Sequence, residues 1–473
     1  MTDGKRITRT VAKPNVGIVH LGVGAFFRAH GAVYIQEAMA RFGGDWGVIG
    51  VSLRSPTVRD LLATHDFAYT AVETSQHGMK LQIIEAISDI LVAPEAPRAV
   101  LDAMISEDTK IVSLTVTEKG YCRGSGVTLL DLDHPDIRHD LTNPLPRSAP
   151  GYLVRALNER RRRGLRPFTV LSLDNLPQNG RLTRRIVLEF ANRIDADLAL
   201  WIDRECRFPS TMVDRIVPAT TDDMIARLNA ETGFQDPAAV FHEPFRQWVI
   251  EDSFVDNARP DWDKVGAKLV SDVEPFEHMK LRMLNGTHSA LAYIGSLAGH
   301  MTVADAMGNP AIAGFLDGMW QDEIVPGLKA PPDTDLADYA AALIARYRNP
   351  EIRHLLDQIA MDGSQKLPQR ILGPLFENKA TGRPYKRLLT VIAAWIRFLQ
   401  DRSQTGQIND PLATDLKRAV QDTKDAKALV SNMLAISPVF GGYPTKEIAD
   451  ELSKTFVAMA PSKLPDMLTG LHP

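Results

Sequence analysis

The stretch Val16–Gly24, with the sequence VGIVHLGVG, decides how the first half of the chain is interpreted. It begins as a strand-length run of aliphatic residues and ends in two glycines separated by one residue. Two glycines directly after a strand permit a tight turn and a close approach of the backbone to a pyrophosphate group. Phe27 replaces the third glycine of the usual dinucleotide-binding pattern, so a purely structural turn stays open. The position at the first strand-to-helix junction favours nucleotide binding.

Strand-like and helical patterns divide the chain into two parts. Further buried-strand runs, rich in Val, Ile and Leu, alternate with amphipathic segments in the first half: Trp46–Leu53, Ile111–Val116 and Phe168–Leu173. From about residue 275 helical periodicity dominates, as in Met279–Gly295, Leu336–Tyr347, Asn349–Met361 and Arg387–Leu399. We therefore expect a doubly wound α/β domain over residues 1–274 and a mainly α-helical domain over residues 275–473.

The composition is that of an ordinary globular protein. The chain has 473 residues, 44% of them hydrophobic and 24% charged, and 54 basic against 58 acidic side chains give a formal charge of −4. This balance provides no general attraction to nucleic acid or to an anionic membrane. The two cysteines, Cys122 and Cys206, fit a reducing compartment. Neither a signal peptide nor an apolar run of about 18 residues is evident, so we expect a cytoplasmic protein.

Polar residues follow several of the predicted strands, where ligands of open α/β sheets bind. Arg54 lies just beyond the second strand, at the position where NAD-binding domains often carry an acid for the ribose, whereas an arginine can accept the 2′-phosphate of NADP. From the residues alone the choice between NAD and NADP stays open. Thr117 and Glu118 follow the third strand, and Asp174 and Asn175 follow the fourth. The Asn179-Gly180 pair, further along, is typical of a turn.

The segment Glu277–Ser289 carries the most informative cluster. At about 100° per residue on a helix, Lys280, His288 and Asn285 lie at roughly 0°, 80° and 140°, on one side of that helix. A buried lysine can serve as a general base, an asparagine can donate to a developing alkoxide, and a histidine can orient a hydroxyl. An amphipathic helix with one buried histidine and a surface lysine is the structural alternative.

Other polar groups have both a structural and a functional interpretation. Asp214 forms either an ordinary salt bridge with Arg215 or part of a site, and Lys366 with Arg370 forms either a solvated face or an anion-binding pair. No cluster of His, Cys and Asp residues has the spacing of a zinc site, so we predict no metal.

These motifs together resemble the polyol-specific long-chain dehydrogenases, the mannitol dehydrogenase family. The resemblance extends from about residue 16 to 455 and is carried by Gly22-x-Gly24-x-Phe26-x-Arg28-x-His30, Asp174–Pro177, Val213–Ile216, Gln247–Asp252 and Lys280-x4-Asn285-x2-His288. Within the family, the fructuronate reductase (D-mannonate oxidoreductase) branch is most similar, through Ser113–Cys122, Glu243–Asp252, Pro260–Ala267 and Met361–Arg370. Mannitol-type members have an arginine eight residues before the position of Lys366, where this chain has Gln358.

The resemblance implies a Rossmann-type domain, a mainly helical domain, a cleft between them and metal-independent hydride transfer with NAD, without excluding NADP. It implies that Lys280 is the general acid/base, that Asn175 and Asn285 hold the reacting oxygen, and that a sugar acid or polyol is the substrate. Substrate-contacting or supporting roles are implied for His288, Asp214 and Lys366. The carboxylate of a sugar acid also needs a cation, for which we expect Lys366 first and Arg370 second. The residues expected to bind the cofactor are Gly22, Gly24, Phe26, Arg28, Arg54, Thr117, Glu118 and Asp174.

Two alternatives to this function are a dehydrogenase for a neutral polyol such as mannitol or arabinitol, and a nicotinamide-sensing protein without turnover. A sensing protein should carry a basic nucleic-acid-binding segment or a partner-binding tail, and the only basic run, Arg160–Arg163, is explained as the end of a helix. The sequence leaves the oligomeric state open, and a monomer is allowed.

Overall fold

The structure is a computed structural model that describes residues 5–124, 129–406, 408–421, 423, 425–459 and 464–470. The chain divides into two compact units, Met1–Glu274 and Pro275–Pro473. Within the described ranges, no helix combines the length and the apolar character needed to cross a membrane.

The strands of the first unit build one parallel sheet and several smaller ones. In chain order they are β1 (Lys5–Arg6), β2 (Val16–Leu21), β3 (Gly47–Ser52), β4 (Tyr69–Ser75), β5 (Gly78–Ile84), β6 (Ile87–Val92), β7 (Ile111–Leu114), β8 (Thr169–Ser172), β9 (Thr211–Asp214), β10 (Phe234–Gln235), β11 (Val240–His242), β12 (Gln247–Glu251) and β13 (Lys268–Val270). The central sheet has the order β6-β3-β2-β7-β8 with every pair parallel. The strand order reverses between β2 and β7, which is the point where ligands bind in open α/β sheets. The smaller sheets are β13-β12-β9, β11-β4-β5 and β1-β10.

Both faces of the central sheet are buried, as the continuous apolar runs predict. Side chains of successive strand residues point to opposite faces. Val19 and Val112 accordingly join the hydrophobic core on one face, whereas Ile18 and Ile111 join the core on the other. The α-helices of the first unit are α1 (Ala25–Ala29), α2 (Gly31–Phe42), α3 (Thr57–Ala63), α4 (Pro97–Ile105), α5 (Thr117–Gly120), α6 (Pro135–Thr142), α7 (Ala149–Arg162), α8 (Asn179–Ile194), α9 (Ala196–Glu205) and α10 (Asp222–Thr232).

The described part of the second unit is mainly helical, with loops and turns between its helices. Its α-helices are α11 (Glu274–Met279, which begins at the unit boundary), α12 (Gly286–Ala290), α13 (Val303–Met307), α14 (Pro310–Gly318), α15 (Leu336–Tyr347), α16 (Leu356–Ala360), α17 (Gly363–Leu367), α18 (Gly373–Ala380), α19 (Lys386–Thr405), α20 (Ala413–Gln421), α21 (Ala426–Leu434), α22 (Ser437–Phe440), α23 (Ala449–Ala458) and α24 (Leu464–Thr469). Turns of π-helix interrupt them at Lys280–Asn285, Leu291–Gly295, Met319–Ile324 and Pro368–Leu372. Short 3₁₀ turns in the chain are Val255–Asn257, Asp263–Val265, Val325–Gly327 and Thr445–Glu447.

The predicted fold class, an α/β domain followed by a mainly helical one, is confirmed. Two local predictions are wrong. Asn179-Gly180 is not a turn but the start of α8, because the left-handed residue is Gln178 (φ 48°). The predicted helix Asn349–Met361 is helical only over Leu356–Ala360, since Leu355 has extended backbone and forms a bridge with Thr302.

Candidate functional site

The glycine turn after β2 has one glycine fixed by the fold and one that faces open space. Gly22 has a φ of +97°, and a Cβ built on it would lie 2.1 Å from the carbonyl oxygen of Thr115. Only glycine fits this position without strain. A Cβ on Gly24 would meet no heavy atom within 4 Å. The first glycine therefore shapes the turn, and the second leaves room beside it.

A buried histidine that sequence reasoning did not select braces this turn. The Nδ1 of His20 lies 2.8 Å from Ser113 Oγ, and its Nε2 lies 3.0 Å from the Gly22 carbonyl oxygen and 2.9 Å from Thr115 Oγ1. Its ring stacks on Phe27 with 3.4 Å between centroids. Burial lowers the pKa of His20 to about 3, so the ring is neutral. A single polar residue inside an otherwise apolar strand, next to the glycine turn, was the available signal.

Asp174 ties the end of β8 to the loop that follows β7. Its carboxylate accepts hydrogen bonds from the backbone N–H groups of Val116 (3.0 Å) and Thr117 (2.9 Å), and from the Tyr121 hydroxyl (2.8 Å). Burial raises the pKa of Asp174, and these three hydrogen bonds oppose that rise. Thr117 has a φ of +62°, which the two bonds to Asp174 help to maintain. These contacts make Asp174 a support for the loop, and direct binding of the cofactor stays a prediction.

Other predicted residues of the first unit lie at the carboxyl ends of the central strands. Arg54 follows β3, Glu118 and Thr117 begin the helix after β7, and Asn175 follows β8; all four are exposed. Asn179, by contrast, is fully buried, and its side-chain amide donates to the carbonyls of Ser172, Asp174 and Thr211. Its role is thus to join strands β8 and β9 to α8.

Phe26 and Arg28 lie on α1 beside the glycine turn. Phe26 stacks on His30 with centroids 5.0 Å apart. The buried guanidinium of Arg28 donates to the Ala238 carbonyl at 2.6 Å and lies over the ring of Tyr69. These contacts give Arg28 a structural role inside the first unit, and a contact with the cofactor stays only a prediction for it.

Asp214 ends strand β9 opposite Gln247 of β12 and is buried. The neighbouring Arg215 directs its guanidinium to backbone carbonyls, those of Ala29 at 2.6 Å and Glu243 at 3.2 Å. Desolvation lowers the pKa of Arg215 to about 10. The residue thus keeps its charge at neutral pH while it connects three segments of the first unit.

The second unit places Lys280, Asn285 and His288 on one continuous helical segment that begins at Glu274. Lys280 is only 7% exposed and His288 only 8%. Lys280 opens the first π turn and Asn285 closes it. Because hydrogen bonds in a π turn join residues five apart, as from Gly286 N–H to the Leu281 carbonyl, the turn brings Asn285 towards the face of Lys280. The angles predicted for a regular helix overstate their separation.

His288 is a neutral imidazole in a mostly aromatic and cationic setting. Its ring centroid is 4.9 Å from that of Tyr347 and 5.2 Å from that of His354. Burial, and then the charges of His354, Arg346, Arg370 and Lys280, hold its pKa well below the usual value. Within the described part of the chain, its buried Nε2 atom has no hydrogen-bond partner. That nitrogen can therefore bind a polar group of a ligand.

Lys366 and Arg370 lie close in sequence but differ in their contacts. The Lys366 ammonium donates to the carbonyls of Met361 (2.6 Å) and Ile359 (3.2 Å), and burial lowers its pKa. Among the described residues, the hydrogen bonds of Arg370 are long, 3.4 Å to the Asn285 carbonyl and 3.3 Å to Ser289 Oγ. Burial lowers the pKa of Arg370 to about 10, so it stays cationic at neutral pH. Gln358, the position at which mannitol-type members carry an arginine, is exposed on α16.

Neither cation is within 4 Å of a carboxylate among the residues that the structure describes. Both side chains are half-buried, and a charge that is partly removed from water is stabilised by an ionic partner. The Arg370 guanidinium, beside the backbone of the catalytic candidate Asn285, is therefore suited to an anionic group of a ligand. In the described ranges, no three His, Cys, Asp or Glu side chains are grouped so that they could hold a metal ion.

Models of known protein families match both halves of the chain. The model of the Mannitol dehydrogenase Rossmann domain matches residues 16–264, and that of the Mannitol dehydrogenase C-terminal domain matches residues 272–460. D-mannonate oxidoreductase of Escherichia coli K12 is 45% identical over 432 residues, which cover 89% of this chain and 88% of that protein. Mannitol 2-dehydrogenase of Aspergillus fumigatus is 40% identical over 437 residues, 90% of this chain and 86% of that protein.

Solved structures extend the same similarity to three dimensions. The ternary complex of Pseudomonas fluorescens mannitol 2-dehydrogenase with NAD and D-mannitol has a TM-score of 0.85 and 36% identity, and the alignment covers 100% of this chain and 97% of that one. A substrate-free D-sorbitol dehydrogenase has a TM-score of 0.89 and 31% identity, with 99% and 98% covered.

Proposed function

The chain belongs to the mannitol dehydrogenase family of oxidoreductases, and on that premise we propose that it interconverts D-mannonate and D-fructuronate with NAD(H). The similarity to D-mannonate oxidoreductase of Escherichia coli supports this substrate. The observation that carries the proposal is the cluster in the second unit: a buried lysine, an asparagine and a neutral histidine beside a half-buried arginine with no anionic partner among the described residues.

The glycine turn of the first unit fits a dinucleotide. Gly22 holds the turn in a conformation that other residues do not readily adopt, and a Cβ on Gly24 would enter open space, which leaves room for a pyrophosphate to approach the backbone. We propose that Gly22 and Gly24 bind the pyrophosphate and that Arg54, Thr117 and Glu118 line the cofactor site. When bound, NAD supplies the acceptor for a hydride.

Lys280 is proposed as the general base in oxidation of the secondary alcohol. It must be neutral to accept the hydroxyl proton, and burial of an amine disfavours its charged form. As hydride leaves the carbon and the proton leaves the oxygen, Asn285 donates a hydrogen bond to that oxygen. Asn175 is proposed as a second donor. The free Nε2 of neutral His288 accepts from, or donates to, a substrate hydroxyl.

Arg370 is proposed as the primary partner of the substrate carboxylate. Sequence reasoning ranked Lys366 first, but the Lys366 ammonium already donates to two carbonyls. The hydrogen bonds of Arg370 to other described residues are longer, 3.3 and 3.4 Å. A planar guanidinium can also donate two parallel hydrogen bonds to a carboxylate. Lys366 then supports the site from the end of α17, next to the π turn that contains Arg370.

The test is a reduced-nicotinamide absorbance assay with D-mannonate, D-mannitol and D-arabinitol, each with NAD and with NADP. A neutral polyol offers no carboxylate to the half-buried guanidinium of Arg370, so we expect kcat/KM for D-mannonate to exceed that for D-mannitol by roughly 10²-fold or more. Faster oxidation of D-mannitol than of D-mannonate would contradict the sugar-acid proposal. It would instead support the second candidate function, a neutral-polyol dehydrogenase, for which the similarity to mannitol 2-dehydrogenases is the argument. NADH binding without turnover of any of them would contradict both.

A further inference from the structure

The π turn Lys280–Asn285 is stabilised by side chains that come from outside it. A π turn shifts the register of backbone hydrogen bonds by one residue, and carbonyls at the shift need other donors. The indole N–H of Trp320 donates to the Met283 carbonyl at 3.0 Å. The Tyr347 hydroxyl, at the end of α15, donates to the Leu284 carbonyl at 3.1 Å.

Thr287, at the start of α12, adds a third side chain to Trp320 and Tyr347, and we call these three side chains the cap of the π turn. Thr287 Oγ1 lies 2.8 Å from the Tyr347 hydroxyl and donates to the Met283 carbonyl at 2.5 Å. The side chains of Tyr347, Trp320 and Thr287 are all buried, so water does not replace a missing donor at low cost. Two hydroxyl protons and one indole proton thus serve the carbonyls of Met283 and Leu284.

The cap affects the candidate site because the π turn contains two of its residues. Lys280 and Asn285 are the first and last residues of the turn. On a regular α-helix they would point roughly 140° apart, whereas i→i+5 hydrogen bonding brings the last residue nearly over the first. The side chains that keep the turn in its π form therefore keep the proposed base and the proposed oxygen donor on one face.

We infer that Tyr347 is a positioning residue, which holds the Lys280–Asn285 turn through the Leu284 carbonyl and Thr287 while its ring packs on His288. This inference rests on the proposed function, because it assigns Tyr347 a role through Lys280, Asn285 and His288. Tyr347 connects all three: it bonds to the turn that contains the first two and contacts the ring of the third at 4.9 Å between centroids.

The test compares Tyr347→Phe with Tyr339→Phe, which removes a buried hydroxyl from the same helix, α15. We expect Tyr347→Phe to lower kcat about tenfold, the effect of one lost hydrogen bond, with little change in KM or in NADH affinity. We also expect amide hydrogen exchange over residues 280–290 to become about tenfold faster, because local opening costs less by that one bond. Tyr339→Phe should change neither quantity.

An unchanged kcat or unchanged exchange in Tyr347→Phe, or equal effects in the two variants, would overturn the inference. If Tyr347→Phe does not fold, Thr287→Val and Thr287→Ser replace it: the first removes the hydroxyl at constant shape and the second retains it. Equal kcat and exchange in that pair would also overturn the inference. Failure of the proposed function is a separate result, since the wild-type protein would then oxidise no sugar acid while the exchange comparison still tests the cap.

Discussion

At the scale of single residues, the proposed chemistry depends on the protonation of one buried amine. Lys280→Ala removes the base, and Lys280→Arg keeps a cation that stays protonated and cannot accept a proton. We expect kcat to fall by roughly 10²–10⁴-fold in both variants, with NADH affinity, measured by fluorescence titration, nearly unchanged. Substantial activity in Lys280→Arg would mean that the positive charge, rather than proton transfer, is what the residue supplies.

A second residue-scale prediction concerns Arg370, which has no carboxylate partner in the part of the chain that the structure describes. Arg370→Met removes the proposed partner of the substrate carboxylate. We expect this loss to raise KM for D-mannonate by roughly 10–100-fold. The control is Arg348→Met, an exposed arginine that follows α15, and steady-state kinetics at neutral pH is the measurement. An unchanged KM in Arg370→Met would reassign carboxylate binding to another cation, Lys366 first.

At the scale of elements, the two glycines of the β2–α1 turn should respond oppositely to the same change. Gly22→Ala places a methyl group 2.1 Å from a carbonyl oxygen at a φ of +97°, and we expect a loss of about 1–3 kcal/mol in the free energy of unfolding. Gly24→Ala meets nothing within 4 Å, so stability should stay the same while NADH binding weakens. Urea denaturation and NADH titration of both variants make the comparison, and normal NADH affinity in Gly24→Ala would place the pyrophosphate elsewhere.

Elements with a simple pattern were predictable, and those set by tertiary contacts were not. The strand Val16–Leu21 and the helix Leu336–Tyr347 have the predicted bounds. Each has a single hydrophobic pattern along its length and clear boundary residues in the sequence. Strand β6 was not predicted, since Asp89 interrupts its apolar run. The turn predicted at Asn179 is a helix start because its side-chain amide bonds to the preceding strand, β8, and to β9, 32 residues away.

The candidate site was predictable as a set of residue types but not as a geometry. Lys280, Asn285 and His288 were selected from their spacing, yet the π turn that arranges them depends on donors such as Tyr347, 60 residues from Thr287. His20 was missed because its function is to bond to the backbone of the turn, which no spacing rule describes.

At the scale of the whole molecule, several buried neutral histidines should make the protein sensitive to acid. Burial lowers the pKa of His20, His30 and His242 to about 3, whereas unfolded histidine titrates near 6.5. Their contribution to the free energy of unfolding is therefore fully present above pH 6.5. It is lost as the pH falls from 6.5 towards 3, because in this range the unfolded chain binds more protons than the folded one. Each histidine costs about 1.4 kcal/mol per pH unit across that window.

Urea denaturation at pH 7 and pH 5 measures this effect. We expect His20→Asn to reduce the loss of unfolding free energy between the two pH values by about 2 kcal/mol relative to wild type, whatever its stability at pH 7. His77→Asn, at an exposed position of the first unit, is the control and should follow the wild-type curve. Identical pH dependence in all three proteins would show that His20 is not neutral in the folded state.

The π turn at Lys280–Asn285 also restricts how this helix can vary in length. It accommodates one residue more than a regular turn of the same rise, so deleting any single amino acid between 280 and 285 would yield a well-formed helix with every reactive group still encoded. Lys280 and Asn285 would then be four residues apart and would still share one face, as residues at i and i+4 of a regular helix do. A return to regular turns without the deletion would instead place them roughly 140° apart. For anyone redesigning the protein, the length of this segment and its π form therefore have to be changed together.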